Sequence, residues 1–257
     1  MMLKPVRLAL GIAVAGGVAF LLAEHVPGWG AFVCWWIATA CFTVAVAYAL
    51  NLPDVFGKRD GLLSRPRILI LFPYMLAFRL ACALMRWRRR LPSISRITPT
   101  LYVGGRLGPA DLPVDTAIVV DLAAELSEPL GIRAHPGYRS HPVLDGCYPP
   151  DDDAFLALLD EIAATRGVVV VHCESGKGRA PTAAALVLVA RGEAPDAAAA
   201  LATIRRGRPW AAPTTVDLRF MERMDARLAE RRPQLRLAPV PQAGAGEALQ
   251  TTGGLSE

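Results

Sequence analysis

Cys173 and Arg179, with five residues between them in the stretch Gly167–Thr182 (GVVVVHCESGKGRAPT), are the side chains best suited to do chemistry in this chain. A thiolate is a strong nucleophile, and a guanidinium grips two oxygens of a tetrahedral anion in a fork that a lysine cannot form. A run of valines leads into His172-Cys173, Gly176 and Gly178 lie inside the loop, and an alanine-rich segment follows Arg179. Strand, glycine loop and helix N-terminus together aim backbone N–H groups and a helix dipole at an anion. The same groups favour thiolate over thiol, so the sequence predicts that Cys173 is ionised near neutral pH. Glycine at both loop positions permits positive φ and close approach of the backbone to a ligand.

Such a loop needs elements to hold it. Ile97–Gly105 (ITPTLYVGG) reads as a short strand pair, Ala117–Leu122 (AIVVDL) as a buried strand, and Tyr138–Leu144 as a strand-like stretch. Val168–Val171 is the central strand. Asp151, Asp152 and Asp153 form the acidic start of a helix whose apolar stripe is Phe155, Leu158, Leu159 and Ile162. Thr182–Arg191, Pro195–Arg206 and Thr214–Ala229 read as further helices. Strands alternating with helices imply an α/β layered domain with a mainly parallel sheet, its ligand site at the carboxyl end of a central strand. Arg205, Arg206 and Arg208 read either as the rim of that site or as a solvated helix end favoured by the dipole. From Pro233 onward the composition predicts a disordered tail, residues 233–257.

In its Cys-x5-Arg loop the chain resembles the cysteine-based phosphatases, specifically the dual-specificity branch. The matching residues are His172, Cys173, Gly176, Arg179, Pro181 and Thr182, and ITPTLYVGG resembles the opening of such domains. The resemblance implies a dual-specificity-phosphatase-like α/β domain over residues 91–232 that hydrolyses phosphomonoesters through a phosphocysteine. Glu174, Ser175, Gly176, Lys177, Gly178 and Arg179 would bind the phosphate, with His172 supporting the loop. No metal or cofactor is implied, because Arg179 and the loop dipoles supply the positive charge. The family places its general acid on a loop ahead of the nucleophile strand, and Asp145 in HPVLDGCYPP occupies that place. Asp121 and Asp151 to Asp153 are its rivals.

The chain departs from the family where a hydroxyl residue usually follows the arginine. Ala180 stands there, Gly-Arg-Ala-Pro resembles the phosphatases of regenerating liver, and slow hydrolysis of the phosphocysteine is expected. Lys177 makes Gly-Lys-Gly-Arg resemble the loop of tensin-homologue phosphoinositide phosphatases, whereas Glu174 departs from it. Three functions follow: a dual-specificity protein phosphatase, a lipid phosphate phosphatase acting on phosphatidylglycerophosphate or a phosphoinositide, or a slow-turnover phosphate-binding adaptor.

Of the 257 residues 53% are hydrophobic, and the excess lies in residues 1–90. Residues 6–23 and 31–50 each approach the ~20 apolar residues of a spanning helix. The break between them, His25 to Gly30, makes a membrane hairpin with Trp29, Trp35 and Trp36 near one interface. Residues 68–85 are also apolar but contain Pro73 and Arg79 and have basic flanks on both sides. Since Lys and Arg stay cytoplasmic, that stretch is expected to lie in or dip into the interface, with a third full span as the alternative. The expected protein is thus multi-pass, with its catalytic domain cytoplasmic. The formal charge of +5 is carried by juxtamembrane arginines that attract anionic lipid headgroups. No motif points to nucleic acid. Phosphoprotein or phospholipid is the expected substrate. Cys34, Cys41 and Cys82 fall in the apolar runs, leaving Cys147 as the one further thiol beside Cys173, either a packing residue or a partner for its oxidised form.

Overall fold

The computed structural model describes residues 4–237. Helices α1 (Lys4–Ala23) and α2 (Trp29–Leu50) form the hairpin, a short β1–β2 ribbon (Lys58–Arg59, Leu62–Leu63) follows, and α3 (Arg65–Arg89) closes the N-terminal region. Among the described residues these three helices are long and apolar enough to cross a membrane, with mean hydropathies of 2.1, 1.8 and 2.1. Gly16 has a packing role here: a Cβ on it would lie 3.0 Å from the Cys41 Cβ and 3.4 Å from the Ala38 carbonyl. Small residues at such a crossing let helix backbones approach closely. Pro73 stands inside α3 without breaking it. A proline has no N–H for the carbonyl four residues back, and that carbonyl, Leu69 O, instead accepts from the Trp36 indole of α2 at 2.9 Å.

The remaining strands form one sheet in the order β3-β4-β7-β5-β6: β3 (Ile94–Thr98), β4 (Leu101–Gly104), β5 (Thr116–Ala123), β6 (Tyr138–Val143) and β7 (Val168–His172). Only β3 is antiparallel to its neighbour; β4, β7, β5 and β6 run parallel. The valines of β7 alternate. Val169 and Val171 enter the core beneath α5 (Asp152–Ala164), α6 (Arg179–Ala190), α7 (Ala197–Gly207) and α8 (Thr215–Leu237), while Val168 and Val170 pack with Leu107, Val119 and Ile132 on the other face. A short helix, α4 (Leu130–Arg133), covers that second face. Every residue of α6 from Arg179 to Val189 is buried, which explains its alanine-rich composition.

Several boundaries differ from the sequence reading. The strand pair begins three residues earlier, at Ile94, and α6 starts at Arg179 itself, directly out of the loop. Helix α8 passes through Pro233 to Leu237, so residues 233–237 are helical where a disordered tail was expected; residues 238–257 lie outside the described part. A third core cluster joins residues from before and after position 90: Val44, Ala47, Tyr48, Phe56 and Leu71 pack with Ala124, Leu144 and Cys147. The N-terminal region therefore shares a core with the α/β layer.

Candidate active site

The carboxyl ends of three adjacent parallel strands bring the candidate residues together. Cys173 follows β7, Asp145 follows β6, and Glu125 lies two residues beyond β5. This is the edge at which open α/β sheets bind ligands.

Cys173 is buried, and its Sγ accepts a hydrogen bond from the Gly176 amide at 3.2 Å. The loop then turns through Gly176 at φ +67, where a Cβ would collide with the Arg208 guanidinium at 2.3 Å and the Gly105 amide at 2.6 Å. Gly178 differs from expectation. Its φ is −113, so it does not need the left-handed region; it precedes the first turn of α6, with Asp217 close by. Burial pushes the Cys173 thiol up from its ordinary value, against the pull of Arg179 and of the Ala180 and Gly176 amides. The enclosure that shields the cradle removes water that would solvate a thiolate, while Arg179 and the two amides pull toward the thiolate that the sequence predicts.

Arg179 enters the site from the first turn of α6. Its Nη1 is held from below by Glu125 Oε2 at 2.9 Å and by the carbonyl oxygens of Val143 and Leu122. Its Nε and Nη2 make no hydrogen bond, which leaves one side of the guanidinium as a two-pronged donor. Asp145 Oδ1 lies 3.6 Å from Nη2 on a partly exposed side chain, and its backbone N–H donates to Glu125 Oε1 at 2.7 Å. Cys173, Arg179 and Asp145 thus converge. The rival carboxylates do not join them. Asp151 caps α5 through the amides of Asp153 and Ala154, and Asp152 and Asp153 pair with Arg223 and Arg227 of α8.

The other loop residues separate into different roles. The Glu174 side chain turns away to Arg106 at 3.3 Å, so only its backbone faces the loop. Lys177 Nζ lies 4.0 Å from Met85 Sδ of α3. Arg205 and Arg206 are exposed, but Arg208 is fully buried: its Nε donates to Gly176 O at 2.7 Å and its Nη1 to Val103 O at 3.1 Å. It props the loop from behind rather than lining a rim.

Behind the cradle, Asp121, Glu128 and His172 are buried with ligand-type atoms all within 4.8 Å of one another. The Lys58 ammonium from the β1–β2 ribbon already sits there, 2.6 Å from Asp121 Oδ2. Burial lowers His172 to about 4, and burial together with Asp121 raises Glu128 to about 7. As pH falls from 6.5 toward 4 the unfolded chain takes a proton that folded His172 refuses, so stability drops. Glu128 acts oppositely, since between 4.5 and 7 the folded chain keeps a proton that the unfolded one releases. The two slopes oppose each other between pH 4.5 and 6.5. Glu128→Gln removes one of them and should lose about 1.4 kcal/mol per pH unit on acidification across that window. Thermal midpoints of both proteins measured over that range check this; parallel curves would sink it.

Residues 130–229 match the family described as PTP-SAK, Swiss Army Knife protein, DSP-PTPase phosphatase domain. The chain carries a cysteine-dependent phosphatase domain of the dual-specificity type. Solved structures similar to it include the following three. Human DUSP28 is 18% identical, covering 54% of this chain and 97% of its own, with TM-score 0.45. Tk-PTP in its active form is 25% identical, covering 53% of this chain and 98% of its own, with TM-score 0.44. PTPMT1 in complex with PI(5)P is 16% identical, covering 55% of this chain and 99% of its own, with TM-score 0.46. No curated protein matches the sequence.

Sequence reasoning missed three side chains around this phosphatase domain's loop, Glu125, Lys58 and Tyr48, and misplaced a fourth, Arg208, at the rim or a solvated helix end. Glu125 left one signal, an acid just past a buried strand that ends at the ligand edge. Arg208 was masked by its exposed neighbours. Lys58 and Tyr48 come from the N-terminal region, and only the tertiary packing brings them to the site.

Proposed function

We propose that this protein is a membrane-anchored phosphatase that hydrolyses a phosphomonoester through a phosphocysteine, and that the phosphate it removes is carried by a membrane lipid. The observation that carries the chemistry is the Nε/Nη2 side of Arg179, free of hydrogen bonds, with Asp145 Oδ1 3.6 Å from Nη2. In this reading the Cys173 thiolate attacks phosphorus in line, and the S–P bond forms as the P–O bond to the leaving group breaks. Arg179 and the loop amides hold the three equatorial oxygens, over which the charge of the transferring group is spread in the transition state. Asp145 gives its proton to the departing oxygen. It then takes a proton from water, which attacks the phosphocysteine, releases inorganic phosphate and restores the thiolate. Glu174 to Gly178 contribute backbone N–H groups, and His172, buried at the end of β7, supports the loop.

The substrate class rests on α3. Its last turns border the phosphate loop, with Met85 beside Lys177 and Arg86 Nη1 donating to Arg106 O at 3.2 Å. Its outer side exposes Leu69, Phe72, Leu76, Leu80, Leu84 and Trp87, and Arg88, Arg89 and Arg90 are exposed where it ends. An apolar helix side ending in arginines suits the headgroup boundary of an anionic membrane. This supports α1 and α2 as spans, α3 in the interface, and the catalytic domain on the cytoplasmic side with the basic flanks. A lipid phosphate then reaches Cys173 within the plane of the membrane.

The test is phosphate release by the full-length protein in bilayer nanodiscs, with phospholipids bearing a terminal phosphomonoester in one arm and soluble phosphotyrosyl and phosphoseryl peptides in the other. A higher kcat/KM for a lipid is expected. Preference for peptides would replace the lipid reading with a protein phosphatase. No release from either substrate, with phosphate analogues still bound, would leave the adaptor reading.

A further inference from the structure

We propose that Tyr48, at the end of membrane helix α2, is a positioning residue that couples the N-terminal helices to the acid loop through Glu125. The inference rests on Cys173, Arg179 and Asp145 being the reacting set.

Glu125 is fully buried and divides its two oxygens between two tasks. Oε2 accepts Arg179 Nη1 at 2.9 Å. Oε1 accepts the Asp145 amide at 2.7 Å and the Tyr48 hydroxyl at 3.1 Å. One carboxylate therefore fixes both the phosphate-gripping guanidinium and the backbone of the candidate acid, and its third donor comes from the membrane region. The Tyr48 hydroxyl in turn accepts from Tyr74 of α3 at 3.2 Å, so the chain of hydrogen bonds reaches two N-terminal helices.

Two further contacts act on the same loop from the same helix end. Asn51, which caps α2, donates its side-chain amide to Tyr148 O at 3.1 Å. Leu144 and Cys147, flanking Asp145, pack in the cluster that holds Val44, Ala47 and Tyr48. The acid loop is thus held between α2 and Glu125. A buried carboxylate with all its donors in place is rigid, and removing one donor loosens the groups that share the oxygen. Activity at Cys173 then depends on how α2 and α3 pack, and a change in the surrounding bilayer that alters this packing reaches Asp145.

The experiment uses the full-length protein in nanodiscs and p-nitrophenyl phosphate, a soluble substrate that needs no delivery by lipid. Tyr48→Phe should lower kcat about fivefold to tenfold, while competitive inhibition by tungstate stays as in wild type, because Oε2 still holds Arg179. Glu125→Gln should weaken both kcat and tungstate inhibition by tenfold or more, about the worth of a hydrogen bond to a charged group, since an amide NH2 must then face a donor. Tyr74→Phe, one bond farther from Glu125, should change kcat by less than about twofold. The proposal is overturned if Tyr48→Phe leaves kcat unchanged, if its loss merely follows a lowered thermal midpoint, or if Tyr74→Phe loses as much. A wild type that releases no p-nitrophenol defeats the phosphatase reading itself and this inference with it; an active wild type with an unaffected Tyr48→Phe defeats the coupling alone.

Discussion

Replacing Cys173 with serine is expected to abolish turnover of an aryl phosphate by on the order of 10⁴-fold or more while tungstate binding survives. Loss of the nucleophile removes covalent catalysis outright, and single removals of this kind reach such magnitudes. The hydroxyl ionises far less readily than the thiol, so burial that already opposes the thiolate opposes the alkoxide more strongly. Binding should persist because the Arg179 fork does not involve the sulfur, a serine oxygen can still accept from the Gly176 amide, and serine occupies less space at this buried position. Product release in steady state and tungstate protection against thermal unfolding measure the two halves separately. Turnover surviving within tenfold would mean that the attacking group lies elsewhere.

Lys58→Met is expected to destabilise the protein by about 3–5 kcal/mol, the cost of leaving a buried charge without its partner. Lys58 Nζ lies 2.6 Å from Asp121 Oδ2, and both side chains are wholly shielded from solvent. The ammonium also donates to Ala123 O, and Asp121 further accepts the Tyr138 hydroxyl at 2.6 Å and the Ala123 amide at 2.9 Å. Lys58 and these attachments hold the Asp121 carboxyl below its usual range despite the burial. Asp121 pairs in register with His172, so this ion pair anchors the ribbon immediately behind the residue that precedes Cys173. Adding Asp121→Asn to Lys58→Met should recover most of the loss, because the uncompensated charge is gone. Equal thermal midpoints for wild type and the single variant would show that the pair contributes nothing net.

The nucleophile, the arginine and the sheet that carries them were legible because each is written in contiguous residues. Four valines before His172-Cys173, bounded by Gly167 and the glycine loop, read as a buried strand, and Gly176 marks the turn that a Cβ would block. Asp145 was legible more weakly, from its place among loop formers after a strand. Ionisation of Cys173 was not, since its solvation depends on how many neighbours enclose it. The helix at residues 233–237 also escaped, because α8 extends beyond the point at which composition turns toward a tail.

By itself the sequence determined that a thiol and a guanidinium flank a glycine loop at a strand end, and that three long apolar segments precede them. These are local properties, set by side-chain period, glycine freedom and the run lengths of hydrophobic residues. Only the tertiary structure decided that Glu125 holds Arg179 and the Asp145 loop together, that Arg208 lies inside, and that Lys58 and Tyr48 reach the site. Those contacts join residues from 20 to 77 positions apart. No local pattern encodes such pairings, because they arise when whole elements pack and every buried charge must find its partner.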